Sequence, residues 1–164
     1  RSGEIVPCQI TGCSKGTAGS PGELKGRFLS AHAIGTIRIN GENGVYGSTR
    51  AQFAGQKMEV AFAQEVEAGD AEIWTTTSGE TPRAYRVKIE KISDADPRRN
   101  MVLRVVDREL LAQTGGIVQG MSGSPIVQNG RLVGAVTHVL INDPTRGYGI
   151  FAQTMLEQAE RVTE

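Results

Sequence analysis

The 164-residue sequence is poor in the residues that staple or metallate small proteins, with two cysteines, two histidines and one tryptophan. Cys8 and Cys13 are too few to form a disulfide framework, and no further Cys or nearby His completes a metal set. No metal and no cofactor are expected. The two cysteines read as buried or half-buried thiols, with a small local disulfide as the alternative. Neither sign of charge is in surplus: Lys plus Arg and Asp plus Glu both number 18. No overall field draws a polyanion toward the chain, and nucleic acid is not an expected partner. An 18-residue apolar run is missing, as is the charged-then-apolar pattern of a signal peptide. The stretch is expected neither to span a membrane nor to carry its own export signal, although a longer precursor could supply one.

Glycine, by contrast, is abundant. Its 21 copies fall between short β-branched runs rather than in one low-complexity block, which is the texture of an all-β domain with many tight turns. The length suits one domain over residues 1–164, burying about two-thirds of its unfolded surface. Apolar alternation predicts strands over 4–10, 24–29, 35–40, 57–66, 71–77, 84–92 and 101–106. The segment from Asn40 to Gly44 and the Ala68-Gly69-Asp70 triplet supply turn residues that tolerate positive φ. After Val106 a short turn or helical segment runs from Asp107 to Gln113. A further hairpin pairs 126–128 with 132–136 across Asn129-Gly130. The chain ends in an amphipathic stretch over 151–161, with Met155, Leu156 and Ala159 on one face, expected to be a helix packed on the β domain.

The chemistry concentrates at Gly120-Met121-Ser122-Gly123-Ser124-Pro125. A serine hydroxyl needs a base to take its proton, and the oxyanion it creates needs fixed N–H donors. A glycine two residues before the serine lets the backbone turn so that the N–H groups of Gly120 and Ser122 converge on one oxygen. The apolar strand and Gly-containing turn that follow would supply a substrate-binding edge at Val136, Thr137 and His138. A Gly/Ser-rich loop that merely turns the chain is the plain alternative. Asp107, placed after a strand and before a helix, reads from local pattern as an N-cap whose carboxylate accepts from free backbone N–H groups.

From Thr114 to Pro125, then Gly134 to Val139 and Asn142 to Gly149, the chain resembles the C-terminal signature of the SpoIVB sporulation peptidases. The Ser2-Gly3-Glu4-Ile5-Val6-Pro7 and Gly19-Ser20-Pro21-Gly22-Glu23-Leu24-Lys25-Gly26 blocks resemble the same family. The resemblance implies a chymotrypsin/trypsin-like double β-barrel, its N-terminal barrel incomplete here, with a C-terminal α-helix. It also implies a serine endopeptidase exported to the space between the two membranes around the forespore. There the family cleaves a membrane-embedded regulatory complex in the sporulation signalling pathway, usually with a PDZ domain upstream. The family carries its triad aspartate where this sequence has Asp107, which would hold the imidazole tautomer of the base. One rotamer cannot serve both as a helix cap and as a triad member.

The base itself is missing from the pattern. The family places its histidine in a Leu-Gly-His motif that this sequence lacks, and the chain is expected to begin just downstream of it. His32 satisfies the order His, Asp, Ser but sits in Ser30-Ala31-His32-Ala33, and reads as a loop or strand histidine. His138 follows Ser122 by sixteen residues and reads as a pocket or bracing residue. The chain alone is therefore expected to have the fold and the nucleophile but little activity. A non-catalytic module binding an extended peptide along the 136–139 edge is the competing function class, and a purely structural β domain a third. Met121 stands where trypsin-like zymogens keep an acidic residue, so activation by that ion pair is not expected. Pro97-Arg98-Arg99 reads as a solvated charged turn, and Trp74, on an alternating strand, as core packing.

Overall fold

The computed structural model describes residues 3–163, so Ser2 of the first block above lies outside the described residues. Among the described residues eleven strands and two α-helices follow one another. The first half holds β1 (Gly3–Ile5), β2 (Cys8–Ser14), β3 (Glu23–Phe28), β4 (Gly35–Gly41) and β5 (Gly44–Thr49). They form two small antiparallel sheets, β1-β4-β5 and β2-β3. The expected strand over 4–10 breaks after Ile5, because Pro7 has no N–H to give to a ladder.

The second half is a closed barrel. Its strands are β6 (Gly69–Thr75), β7 (Arg83–Ile92), β8 (Met101–Val105), β9 (Pro125–Gln128), β10 (Arg131–Val139) and β11 (Arg146–Phe151), in the order β10-β11-β8-β7-β6-β9. Every neighbouring pair is antiparallel, and closure leaves no free edge along most of its height. Together with the C-terminal helix this is an all-β, chymotrypsin-like fold. Inward residues of alternating strands fill the barrel: Ile73 from β6, Tyr85, Val87 and Ile89 from β7, Met101 and Leu103 from β8, Ile126 from β9, all at most 1% exposed. The β9–β10 hairpin turns at Asn129 (φ +52°) and Gly130 (φ +75°), the left-handed pair that a two-residue turn requires.

Three expectations are corrected. The stretch 57–66 is not a strand: Val60 makes only an isolated bridge to Leu132, and a short 3₁₀ turn follows over Ala63–Glu65. The Glu65 carboxylate accepts from the Phe62 N–H at 2.8 Å, a local bond that competes with a ladder. Trp74 is not core but 40% exposed, because its strand alternates Ala71, Ile73 and Thr75 inward with Asp70, Glu72 and Trp74 outward. Cys8 and Cys13 are free thiols as expected, but Cys8 is exposed rather than buried or half-buried. They lie five positions apart on β2, about 16 Å along a strand, which excludes the local disulfide. Two strands, β5 and β11, were not anticipated.

Two helices complete the fold. α1 (Arg108–Thr114) connects β8 to the loop before β9, and α2 (Ala152–Thr163) follows β11 directly. Leu110 of α1 is fully buried in the core. α2 packs against β5, β10 and β11, so it bridges the two halves. Of its expected apolar face, Leu156 is 48% exposed. Among the described residues no helix is long and apolar enough to cross a membrane.

Candidate active site

Ser122 lies in the loop between α1 and β9. Gly115 caps α1 in the left-handed conformation, its N–H bonded to the Leu111 carbonyl at 3.0 Å. Gly120 bends the chain again with φ +96°, and a Cβ there would meet the Leu24 Cβ at 3.1 Å. The bend sends Met121 into the core, fully buried, and leaves Ser122 exposed. Four backbone bonds clamp the loop. Met121 N–H donates to Val118 O (3.1 Å), Ser124 N–H to Met121 O (3.0 Å), Gly123 N–H to Val136 O (2.8 Å) and Val136 N–H to Ser124 O (2.9 Å).

The Ser122 hydroxyl donates to the Thr137 carbonyl at 2.8 Å. Among the described residues the N–H groups of Gly120 and Ser122 donate to no partner. Two unspent donors flanking one residue are the material of an oxyanion hole. Ser122 opens onto a cleft of about 340 Å³ bordered by Gly123, by β10 from Ala135 to His138, and by the β4–β5 turn at 41–44. Val136 contributes a buried side chain, and both its backbone groups are taken by the nucleophile loop. The stretch of β10 left open for an extended peptide therefore begins at Thr137, beyond the end of β9.

The turn over the cleft is tethered. Arg98 reaches the Glu42 carboxylate at 2.8 Å and the Asp96 carboxylate at 3.1 Å. The Arg98 carbonyl accepts from the Thr137 hydroxyl at 3.3 Å. Arg99 stacks on the Tyr148 ring, 5.0 Å from its centre. The charged turn is thus built into the rim of the cleft, and the Asp96 carboxyl is held below its ordinary pKa chiefly by its hydrogen bond from Arg98.

The two histidines differ in placement. His138 borders the same cleft as Ser122 but has no hydrogen bond to its hydroxyl. His32 lies between β3 and β4 and pairs its Nδ1 with the Ser30 hydroxyl at 3.1 Å. The cleft is at the turn end of the β4–β5 hairpin, whereas His32 precedes its open end. The seven residues of β4 put about 20 Å between those ends, far beyond the ~3 Å a general base needs.

Asp107 is the N-cap of α1. Its Oδ1 accepts from Glu109 N–H (2.9 Å) and Leu110 N–H (3.2 Å), and its Oδ2 from Arg86 N–H (3.2 Å). Burial works to raise its pKa, but the hydrogen bonds from Arg86, Leu110 and Glu109 outweigh it and hold the carboxyl below the ordinary range. The structure does not bring Asp107 to Ser122. Thr137, which Ser122 contacts, bonds to Arg98 before the start of β8, while Asp107 follows the end of that strand. Of the two roles open to this rotamer, its hydrogen bonds are those of the cap.

The sequence reading missed the 41–44 turn and Met155 of α2 as walls of the Ser122 cleft. No local signal marks them, since both reach the cleft through long-range packing. A family model described as SpoIVB peptidase S55 matches residues 1–156. A search of curated proteins finds no match.

Proposed function

Because the chain belongs to the SpoIVB peptidase S55 family, and is thus a peptidase domain, we propose that it is a serine endopeptidase with Ser122 as nucleophile. One observation carries the reading: an exposed serine on a clamped, left-handed glycine bend, flanked by the unspent N–H groups of Gly120 and Ser122 and opening onto a cleft. The acyl half of the substrate lies along the open part of β10 at Thr137 and His138, the Val136 side chain flooring the site. Attack requires the hydroxyl to leave the Thr137 carbonyl and pass its proton to a base. The developing oxyanion then takes the Gly120 and Ser122 N–H groups.

The base is a histidine contributed by a preceding segment, since neither His32 nor His138 is bonded to the hydroxyl. Asp107 acts at one remove: its carboxylate fixes the first turn of α1, whose other end feeds the nucleophile loop. The substrate is a membrane-associated regulatory protein of the sporulation pathway, met in the space between the forespore and mother-cell membranes, with a PDZ domain upstream. These finer points follow from the family resemblance.

The test is fluorophosphonate labelling of this chain and of one extended upstream to include a Leu-Gly-His segment, the adduct located by mass spectrometry with Ser122→Ala as control. Labelling of Ser122 in the extended chain alone fits the proposal. Labelling of both places the base within residues 1–164. Labelling of neither replaces the enzyme with a peptide-binding module that uses the same β10 edge.

A further inference from the structure

A tryptophan facing out of a barrel leaves a large apolar ring in water unless something covers it. Trp74 is such a residue, and it borders a concavity of about 280 Å³ together with Cys8, Ile10, Leu24, Pro82 and Gly120. Small-molecule pockets run from about 300 Å³ upward, so this space suits a side chain or two rather than a cofactor. The two concavities meet at the nucleophile loop: Gly123 borders both, Ser122 opens onto one, and Gly120 onto the other.

The walls of the second concavity are built rather than incidental. Ile10 and Gly79 exchange both backbone hydrogen bonds, at 2.8 and 2.9 Å, which ties β2 to the loop after β6. Leu24 N–H donates to Gln119 O at 2.8 Å and Gln119 N–H to Gly22 O at 2.9 Å, which ties β3 to the oxyanion loop. Opposite Trp74 on β7 stands only Ala84, which leaves the indole uncovered.

We propose that this concavity is the leaving-group subsite, with Trp74 as its specificity-determining residue, and that it accepts an apolar or aromatic side chain from the residue just after the scissile bond. This rests on the reading of Ser122 as nucleophile. With the acyl half along β10 and the carbonyl oxygen at the Gly120 and Ser122 N–H groups, the departing amine leaves on the Gly120 side of the loop, where Trp74, Ile10, Leu24 and Pro82 present apolar surface. The charged side chain at this concavity is Glu80, so an acidic residue at that substrate position is disfavoured by like-charge repulsion.

Acyl transfer tests the assignment directly. The peptidase extended upstream is acylated by a peptide methyl ester, and its acyl group is offered to water and to leucinamide, phenylalaninamide, glycinamide or aspartic acid α-amide. The methoxy leaving group is too small to fill the concavity, so methanol release reports Ser122 alone and partitioning reports the subsite. Leucinamide and phenylalaninamide should compete with water about tenfold better than the other two amides, the discrimination one apolar side chain supports. Trp74→Ala should abolish that preference with methanol release changed less than about twofold, and Trp74→Phe should retain most of it. A preference untouched by Trp74→Ala, or one for the acidic amide, overturns the subsite while leaving the nucleophile intact. Ester hydrolysis equally fast in Ser122→Ala overturns the nucleophile and the subsite with it.

Discussion

The two halves of the molecule are both antiparallel β-structure, yet only one of them has an interior. Among the described residues every buried apolar side chain except Tyr46 comes after residue 60. The barrel closes on itself, so each strand offers a full inward face, and Ile73, Leu103 and Ile126 vanish from solvent there. The β1-β4-β5 and β2-β3 sheets close on nothing. Their exposures run mostly outward, and they are held to the barrel by scattered ties that include the Ile10–Gly79, Gly16–Thr114, Gly19–Ile141 and Leu24–Gln119 backbone bonds, the Glu42–Arg98 ion pair, and the Met155 contact with Gly44. Strand content is therefore no guide to stability. Closure, and the core it permits, is the variable that differs.

The sharpest way to break this comparison is to remove the same kind of atoms from each half. Leu103→Ala in the barrel should cost about 3 kcal/mol and Ile39→Ala in β4, 37% exposed, less than about 1 kcal/mol, as read by urea denaturation. Equal losses would mean that the first half has a core of its own. Hydrogen exchange should likewise protect the amides of β7 and β8 more than those of β4 and β5.

Smaller in energy but more telling for the site is Asp107. Replacing it with Ala should cost about 1–2 kcal/mol, the worth of an N-cap, and Asn, which also caps, should recover most of it. Its depressed pKa gives the sign of the pH effect. The carboxylate's contribution is full above the ordinary carboxyl value near pH 4 and is lost as pH falls through the lower folded value. The gap in stability between the parent and Asp107→Ala should therefore be wide at pH 7 and close toward pH 2. A triad role makes the same forecast for the stability of Asp107→Asn but a different one for turnover, which would fall by about 10⁴. Measuring both on one variant separates the roles.

The smallest effect belongs to the tether. Glu42→Ala should cost no more than about 0.5 kcal/mol, because Glu42 is 78% exposed and such pairs are screened by water. Amide exchange in the 41–44 turn should nonetheless quicken. An unchanged rate there would show that Met155, not the ion pair, holds the turn.

Legibility in the sequence follows the same division. The barrel strands β6, β7 and β8 were readable because one face is buried and the other wet, which writes the alternation directly into the residues. The Asn129-Gly130 hairpin and the nucleophile loop were readable from backbone chemistry alone. β5 escaped notice because only Tyr46 along it is buried. β11 escaped because Gly147 and Gly149 interrupt it. A Cβ at Gly147 would stand 2.6 Å from the His138 carbonyl oxygen, which requires glycine there, and one at Gly149 would stand 2.6 Å from an Ile126 methyl carbon, which the core would have to move to admit. Trp74 was misread against its own pattern: Asp70 and Glu72, four and two positions earlier, share its face. Val136, Thr137 and His138 were legible as the edge that follows the nucleophile loop, but the 41–44 turn and Met155 of α2 were not, because no local rule brings them to the same cleft.

Gly123 is the one residue common to the two concavities beside the nucleophile. Apart from Ser122 itself, everything else on one side comes from the β4–β5 turn, β10, β11 and α2, and on the other from β2, β3, β6 and the loops at 76–82 and 120–124. The residues that would judge a substrate before the cut bond and after it are thus written in almost separate vocabularies. A library varying 41–45 and 138 can be crossed with one varying 10, 74 and 82, and each half of the recognition code selected without rewriting the other.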